Sequence, residues 1–394
     1  MELARAEYKL RGSPDVNAAI TNEPNARQSR SASQLELGRS GGRSGLVGGA
    51  GVSGGVRIRV DGLGVLSRLA SGGQCVVYTT PLKLRHLALP LVFKEYKPQV
   101  IGRLNVSVLE AMPTYLETLP FAEGMGLLSQ AAWPCRVVDD DAGTVKGFVM
   151  PSVPPEFFLD LKKPSGIVRE PGEFQHLLNG DGFLSRLQIP LTDRHRYELL
   201  SETAHALDLF HRHRIAVGDM SPKNLLFSIH PTPKVFFIDC DAMRFHGGSV
   251  VPQLETPGWE VRAANPGEEL GTPESDGYKL GLLALRLLVG DQSTRDPNRL
   301  PHSVTREIRT LITNALAPRP TDRPQPTDWL PSLSTAATNA PTTPPTPPAP
   351  PVAITQQHQP TTPLAPLASL GPSRTSVGQS TVAQKRPVTG AQVS

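Results

Sequence analysis

Two acids and an amide are gathered in one short part of the chain. Asp219 and Asn224 stand five residues apart in VGDMSPKNLLF, residues 217–227, and Asp239 ends the apolar run VFFID, residues 235–239. Carboxylate and carboxamide oxygens are hard donors suited to a divalent cation. Two of them on adjacent loops would hold such a cation against phosphates, while a third oxygen donor, a carboxylate, meets an attacking hydroxyl. The spacing of Asp219 and Asn224 alone is weak, because a polar loop after a buried strand would show it too. The second acid, fifteen residues past Asn224 at the end of an apolar strand, makes the set specific.

Groups like these need a scaffold, and the flanking pattern supplies one. Residues 56–60, 63–69, 75–79 and 91–96 are rich in Val, Leu and aromatics with turns between, the mark of strands. Residues 137–139 and 146–150 flank DDAG and read as a hairpin. Over 194–213, Tyr197, Leu200, Ala204, Leu207 and Phe210 form a helical stripe. From 217 the pattern returns to strand and loop, and 278–289 and 305–316 are helical again. Strands first and helices later predict an α+β chain, with a small sheet-rich lobe and a larger helical lobe. In VSVLEAMPTYLETLP, Pro113 is expected to interrupt any single helix carrying both Glu110 and Glu117. His205, His211 and His213 cluster on the 194–213 helix. His213 and Arg214 fall at its C-terminus, where positive charge suits the helix dipole, so a structural role is expected rather than metal ligation.

Composition confines the folded part to the middle of the 394 residues. Pro (40) and Gly (35) are in excess, and much of that excess lies near the two ends. Residues 1–55, with GRSGGRSGLVGGAGVSGG, are expected to be a disordered Gly/Ser-rich segment, and 336–394, with TPPTPPAPP, a disordered Pro/Thr-rich tail. The tail is read as a plain linker or tail in preference to a ligand for a proline-binding module. One domain over 56–335 remains, with the smaller lobe at 56–150 and the larger at 151–335. Forty basic and 36 acidic residues are nearly balanced, which gives no case for nucleic acid or an anionic membrane as partner. Cys75, Cys135 and Cys240 are odd in number and far apart, which suits a reducing cytoplasm better than a disulfide framework. Residues 1–30 are polar and include acids, so no secretory leader is expected. No run of about eighteen apolar residues suggests a membrane span.

The two runs around Asp219 and Asp239 resemble the catalytic and metal-binding loops of protein kinases of the eukaryotic-type Ser/Thr superfamily. Upstream, LASGGQCVVYTT (69–80) looks like the Gly-rich loop and LVFKEYKP (91–98) like the strand that carries the nucleotide lysine. Downstream, GTPESDGYKLGLLALRLL (271–288) looks like the kinase helix that opens with a buried Asp, and PRPTDRP (318–324) resembles the Arg-Pro close of a kinase domain. The resemblance covers about 270 residues and implies a two-lobed kinase-like fold that takes ATP with Mg2+ or Mn2+. It assigns Asp219 as catalytic base and Asn224 and Asp239 as metal ligands. Gly72, Gly73, Val77, Lys94 and Met150 become nucleotide contacts, with Glu110 preferred to Glu117 as the helix carboxylate paired with Lys94. Asp276 would brace the catalytic loop by accepting backbone N–H groups, unless it merely caps its helix in competition with Ser275. QAAWPCRVVDDD, GFVMP and FIDCD are similar to one bacterial branch, sometimes labelled helix-hairpin-helix and sometimes encoded beside a PP2C-type phosphatase. A protein substrate and such a phosphatase are the implied partners. No helix-hairpin-helix is visible, so the label implies no DNA binding here.

The chain departs from the kinase pattern in four places. Ala70 and Cys75 replace two loop glycines, Val217 and Gly218 replace His-Arg before the catalytic Asp, and Cys240 and Asp241 replace Phe-Gly after the metal Asp. No Ala-Pro-Glu run is visible, which leaves Glu260 as candidate partner for Arg323. Without the Arg that usually precedes the catalytic Asp, where this chain has Gly218, activation-loop phosphorylation is not expected to be needed. Asp241 is either an extra acid near the metal or a solvated strand-end carboxylate. The leading expectation is a Ser/Thr-type protein kinase. The alternatives are an ATP-binding pseudokinase scaffold, favoured by the altered loops, and a small-molecule kinase of the aminoglycoside or choline type, disfavoured by the 271–288 helix.

Overall fold

β-Branched and aromatic residues between Gly and Pro turns build the first sheet. The protein is described here from a computed structural model covering residues 55–85, 87–263 and 268–345. The expected Gly/Ser segment and most of the Pro/Thr tail lie outside these residues. Strands β1 (Arg57–Arg59), β2 (Ser67–Ser71), β3 (Cys75–Thr79), β4 (Leu91–Tyr96), β5 (Arg136–Asp139) and β6 (Val145–Pro151) form one mixed sheet in the order β1-β5-β6-β4-β3-β2. Only β1 and β5 run parallel; the other neighbours are antiparallel. The β5–β6 turn holds because the Asp140 carboxylate accepts from Ala142 and Thr144 N–H.

Helices α1 (Pro98–Ile101), α2 (Val106–Thr118) and α3 (Phe121–Gln130) lie between β4 and β5 in sequence. Pro113 does not break α2: the helix runs straight through it. Leu109, Met112 and Pro113 are all buried, and that packing outweighs the single intrahelical hydrogen bond that Pro113 cannot donate.

After the hairpin β7 (Phe158–Lys163) and β8 (Gly166–Pro171), helices dominate: α4 (Asp181–Leu187), α5 (Asp193–Arg212), α6 (Pro273–Val289), α7 (Arg306–Ala315) and α8 (Pro326–Asn339). Short strands β9 (Ile215–Ala216), β10 (Leu225–Ser228), β11 (Lys234–Phe237) and β12 (Arg244–Phe245) fall between α5 and α6 in sequence. The described chain is therefore mixed α+β, with a mixed sheet and eight α-helices among the described residues. None of those helices is long and apolar enough to cross a membrane.

The helical part continues past the expected boundary at 335. α8 ends at Asn339 with Ala336 and Ala337 buried, and Arg194 N–H donates to Pro341 O at 3.3 Å. Thr/Ala-rich sequence there resembles tail composition, but Ala is the best helix former and gains burial once a neighbour covers it.

Candidate functional site

Strand register sets the sheet side of the site. Lys94 on β4 pairs with Val77 on β3 and with Phe148 on β6, while Val92 pairs with Met150 and Ala70 with Val77. Directly paired residues, and those two apart along a strand, point to one face. Ala70, Val77, Val92, Lys94, Phe148 and Met150 thus share one surface, apolar except for a single ammonium. Lys94 is only 5 % exposed, and its Nζ stands 5.6 Å from the Phe148 ring centre.

The Gly72–Gly73 turn joins β2 and β3. Gly72 N–H donates to Cys75 O at 2.9 Å. Lys97 donates from its backbone to Gln74 O at 2.9 Å and from Nζ to Gly72 O at 2.5 Å. The turn is thereby tied to the chain just after β4, by a lysine that strand pattern alone does not single out.

The loop side is built by the β10–β11 hairpin. Leu225 pairs with Phe237, and Ile238 N–H donates to Asn224 O at 2.9 Å. Asn224 precedes β10 and Asp239 follows β11, so the ladder brings both to one end of the hairpin. Asn224 Nδ2 donates to Asp219 O at 3.2 Å and to Asp219 Oδ2 at 3.3 Å. That orientation leaves Asn224 Oδ1 with no hydrogen bond among the described residues. Asp219 also accepts from Thr256, from N–H at 3.2 Å and from Oγ1 at 3.0 Å. Burial pushes the Asp219 carboxyl above its ordinary range, against the Thr256 hydrogen bonds and the Lys279 charge.

Helix α6 braces this loop. Thr272 is its N-cap, and Ser275 completes a reciprocal capping box, which frees Asp276 from capping. Asp276, wholly buried, accepts from Val217 and Gly218 N–H at 2.8 Å each and from His211 Nε2 at 3.0 Å. One turn on, the buried Lys279 donates to Gly218 O at 2.7 Å and pairs with Glu255 at 2.9 Å. Gly218 has φ +70°, and a Cβ there would run into the Gln253 side-chain oxygen. The Gln253 side chain thus fills the space beside Gly218, which stands directly before Asp219.

The two sides meet at Lys94. Its Nζ donates to Asp239 Oδ1 at 3.0 Å and to Asp241 Oδ1 at 2.6 Å, and the Tyr96 hydroxyl donates to Asp241 Oδ2 at 2.9 Å. Burial pushes the Lys94 ammonium down, but Asp239 and Asp241 together outweigh it and hold it well above its ordinary value. Asp239 has left-handed backbone (φ +59°), and the single 3-10 turn after it folds residue 241 back to the same ammonium.

Two expectations are corrected, for Glu110 and for the partner of Arg323, and one of the two alternatives for Asp241 is closed. Glu110 does not pair with Lys94: it accepts from Arg57 Nε at 2.6 Å, and Glu117 pairs with Arg136 at 2.6 Å. The two acids lie seven apart on one face of α2, and Arg57 on β1 and Arg136 on β5 draw that face to the far strands of the sheet. Asp241 is no solvated carboxylate, being 2 % exposed. Arg323 meets Glu268 through both guanidinium nitrogens, at 2.5 and 2.8 Å, whereas Glu260 pairs with Arg295 at 3.0 Å.

Of the three clustered histidines, His205 is exposed, while His211 near the end of α5 and His213 at its C-cap make polar contacts. His211 bonds Asp276, and His213 Nδ1 lies 2.7 Å from the Tyr115 hydroxyl. Among the described residues no group of three or more His, Cys, Asp or Glu side chains is arranged to hold a metal. Asn224 Oδ1 and Asp239 Oδ2, neither hydrogen-bonded among the described residues, are nonetheless two hard oxygens at one end of a hairpin. Lys94 with Asp239 and Asp241 sums formally to one negative charge. That donor set fits a hard divalent cation that takes its other ligands from phosphate and water. Of the residues singled out in sequence, Lys94 bonds Asp239, Asn224 bonds Asp219, and Asp276 holds the backbone just before Asp219; the two pairs are linked through the backbone bond from Ile238 N–H to Asn224 O. Val77 and Met150 share the face of Lys94, the Gly72–Gly73 turn leads into β3, and Glu110 stands apart. Thr256, Lys279 and Gln253 were missed. Lys279 alone left a signal, a charge inside the apolar run YKLGLL. Compared with known proteins, the chain matches no family model and no curated protein sequence.

Proposed function

We propose that this protein is an ATP-dependent phosphotransferase with a two-lobed, protein-kinase-like arrangement, acting on a protein hydroxyl of the Ser/Thr type. The observation that carries the reading is the meeting of Lys94 with Asp239 across 145 residues, beside a loop in which Asp219 and Asn224 are joined. An apolar sheet face with one ammonium suits a nucleotide whose base lies against Val77 and Met150 and whose phosphates reach Lys94. Asn224 Oδ1 and Asp239 would hold Mg2+ or Mn2+, which supplies charge neutralisation for the phosphate oxygens.

In this reading Asp219 Oδ accepts the proton of the substrate hydroxyl. The hydroxyl oxygen forms its bond to the γ-phosphorus as the bond to the β–γ bridging oxygen breaks, and ADP leaves with that electron pair. Burial, which raises the Asp219 carboxyl, makes it a better base than an exposed Asp. Thr256 fixes its direction, and Asp276 and Lys279 fix the backbone that carries it.

The test is transfer of labelled phosphate from ATP, with magnesium and with manganese, to the protein itself and to an added basic protein. Asp219→Asn is expected to abolish transfer while keeping ATP-dependent thermal stabilisation. A wild type stabilised by ATP that transfers nothing with either metal supports an ATP-binding scaffold instead. An Asp219→Asn protein as active as wild type overturns the role given to Asp219.

A further inference from the structure

Asp241 occupies a position that neither half of the site explains. It is buried, both its oxygens are bonded, and its partners are Lys94 and Tyr96, residues of β4 rather than of its own loop. The helix carboxylates that would pair with a nucleotide lysine are engaged elsewhere, Glu110 by Arg57 and Glu117 by Arg136. Lys94 therefore has two carboxylates to serve. Asp239 is half exposed and keeps one oxygen without a hydrogen bond among the described residues; Asp241 is enclosed and saturated.

We infer that Asp241 is the positioning residue for Lys94, doing from the loop after β11 what a helix carboxylate would otherwise do, and that it keeps Asp239 open to a divalent cation. The inference rests on the nucleotide-binding reading above. With Asp241 in place, the shorter contact of the ammonium, 2.6 Å against 3.0 Å, goes to the enclosed acid. The weaker contact leaves Asp239 only partly neutralised. Remove the Asp241 charge and Lys94 has a single anionic partner, Asp239, so the ammonium and the cation compete for one carboxylate. The Tyr96 hydroxyl aims Asp241 by holding Oδ2, which turns Oδ1 toward Nζ.

The test is thermal stabilisation of the full chain by ATP, titrated with magnesium chloride, for wild type, Asp241→Asn and Tyr96→Phe. Asp241→Asn is expected to raise the magnesium concentration for half-maximal stabilisation by about tenfold, the lower end of the scale of one hydrogen bond to a charged group. Tyr96→Phe, which keeps the ring and the charge, is expected to raise it about threefold. A purely structural role would lower the melting temperature without ligand and leave the half-maximal magnesium concentration unchanged, and that result overturns the inference. Should Asp241→Asn fail to fold, Tyr96→Phe decides by the same criterion. Glu110→Gln is run in parallel, and a larger magnesium shift from it than from Asp241→Asn or Tyr96→Phe hands the role back to the helix. A wild type with no ATP-dependent stabilisation overturns the nucleotide reading and this assignment together. A stabilised wild type with unshifted variants overturns this assignment alone.

Discussion

On the sheet side of the site one side chain is held; on the loop side the backbone is held. Lys94 takes its direction from strand register, and two carboxylates from beyond β11 come to it. Asp219 has no strand to aim it. Its loop is shaped by Asp276 taking two consecutive N–H groups, Lys279 taking the carbonyl between them and Asp219, and Gln253 filling the space beside Gly218. A sheet can present a functional group using only its own ladder. A loop needs buried side chains from another element to satisfy its backbone, because no ladder does so. The loop side should therefore be the more sensitive to single polar substitutions, and the sheet side to changes in charge balance.

Asp276→Ala attacks the loop side most directly. It leaves two buried N–H groups and His211 Nε2 without their acceptor, and a loss of about 3–5 kcal/mol is expected in urea unfolding. A loss near that of an ordinary surface substitution would end the comparison.

The next test extends it to Arg323. Its side chain is fully enclosed and Glu268 meets it through two oxygens, so Glu268→Ala is expected to cost about 2–4 kcal/mol. Glu260→Ala removes a half-exposed acid paired with Arg295, and less than about 1 kcal/mol should follow by the same measurement. Equal costs would show that burial is not what sets the difference.

Gly218→Ala probes shape rather than charge. The left-handed backbone and the Gln253 oxygen both oppose a Cβ, and about 1–3 kcal/mol of destabilisation is expected. Gln253→Ala in the same protein should recover part of that loss if steric conflict contributes.

The smallest effect has the opposite sign. Burial raises the Asp219 carboxyl in the folded state, so its ionisation works against folding. That contribution is favourable below the unfolded-state value and is lost as pH rises through the folded-state value. Asp219→Asn should therefore be slightly more stable than wild type at pH 7, by about 1–3 °C in melting temperature, with the gap closing as pH falls toward 4. A variant less stable than wild type at pH 7 would mean that the Thr256 hydrogen bonds outweigh desolvation.

Much of this site could be read from residues near one another in sequence. β3 and β4 have the boundaries their composition indicates, and α5 matches its stripe within a residue at each end. Those elements follow local periodicity, which every residue in them reports. Asn224 and Asp239 could be grouped because they flank a single hairpin, and Asp219 because it stands five residues before Asn224 in the preceding loop. Glu110 could not be placed, because its partner depends on the rotation of α2 against the sheet. Pro113 misled because propensity speaks for an isolated helix, and α2 is buried along that side.

Order, spacing and composition determined β3, β4, α5, the candidate oxygen donors and the place of Lys94 on a strand, since each is a property of a short stretch of chain. Only the tertiary structure decided the charge partners: Asp241 rather than Glu110 for Lys94, Glu268 rather than Glu260 for Arg323, and Lys279 for the loop carbonyl. A carboxylate in sequence has no direction. Which cation it meets depends on how helices and strands pack, and once the pair is buried, the cost of leaving either charge alone holds the choice in place.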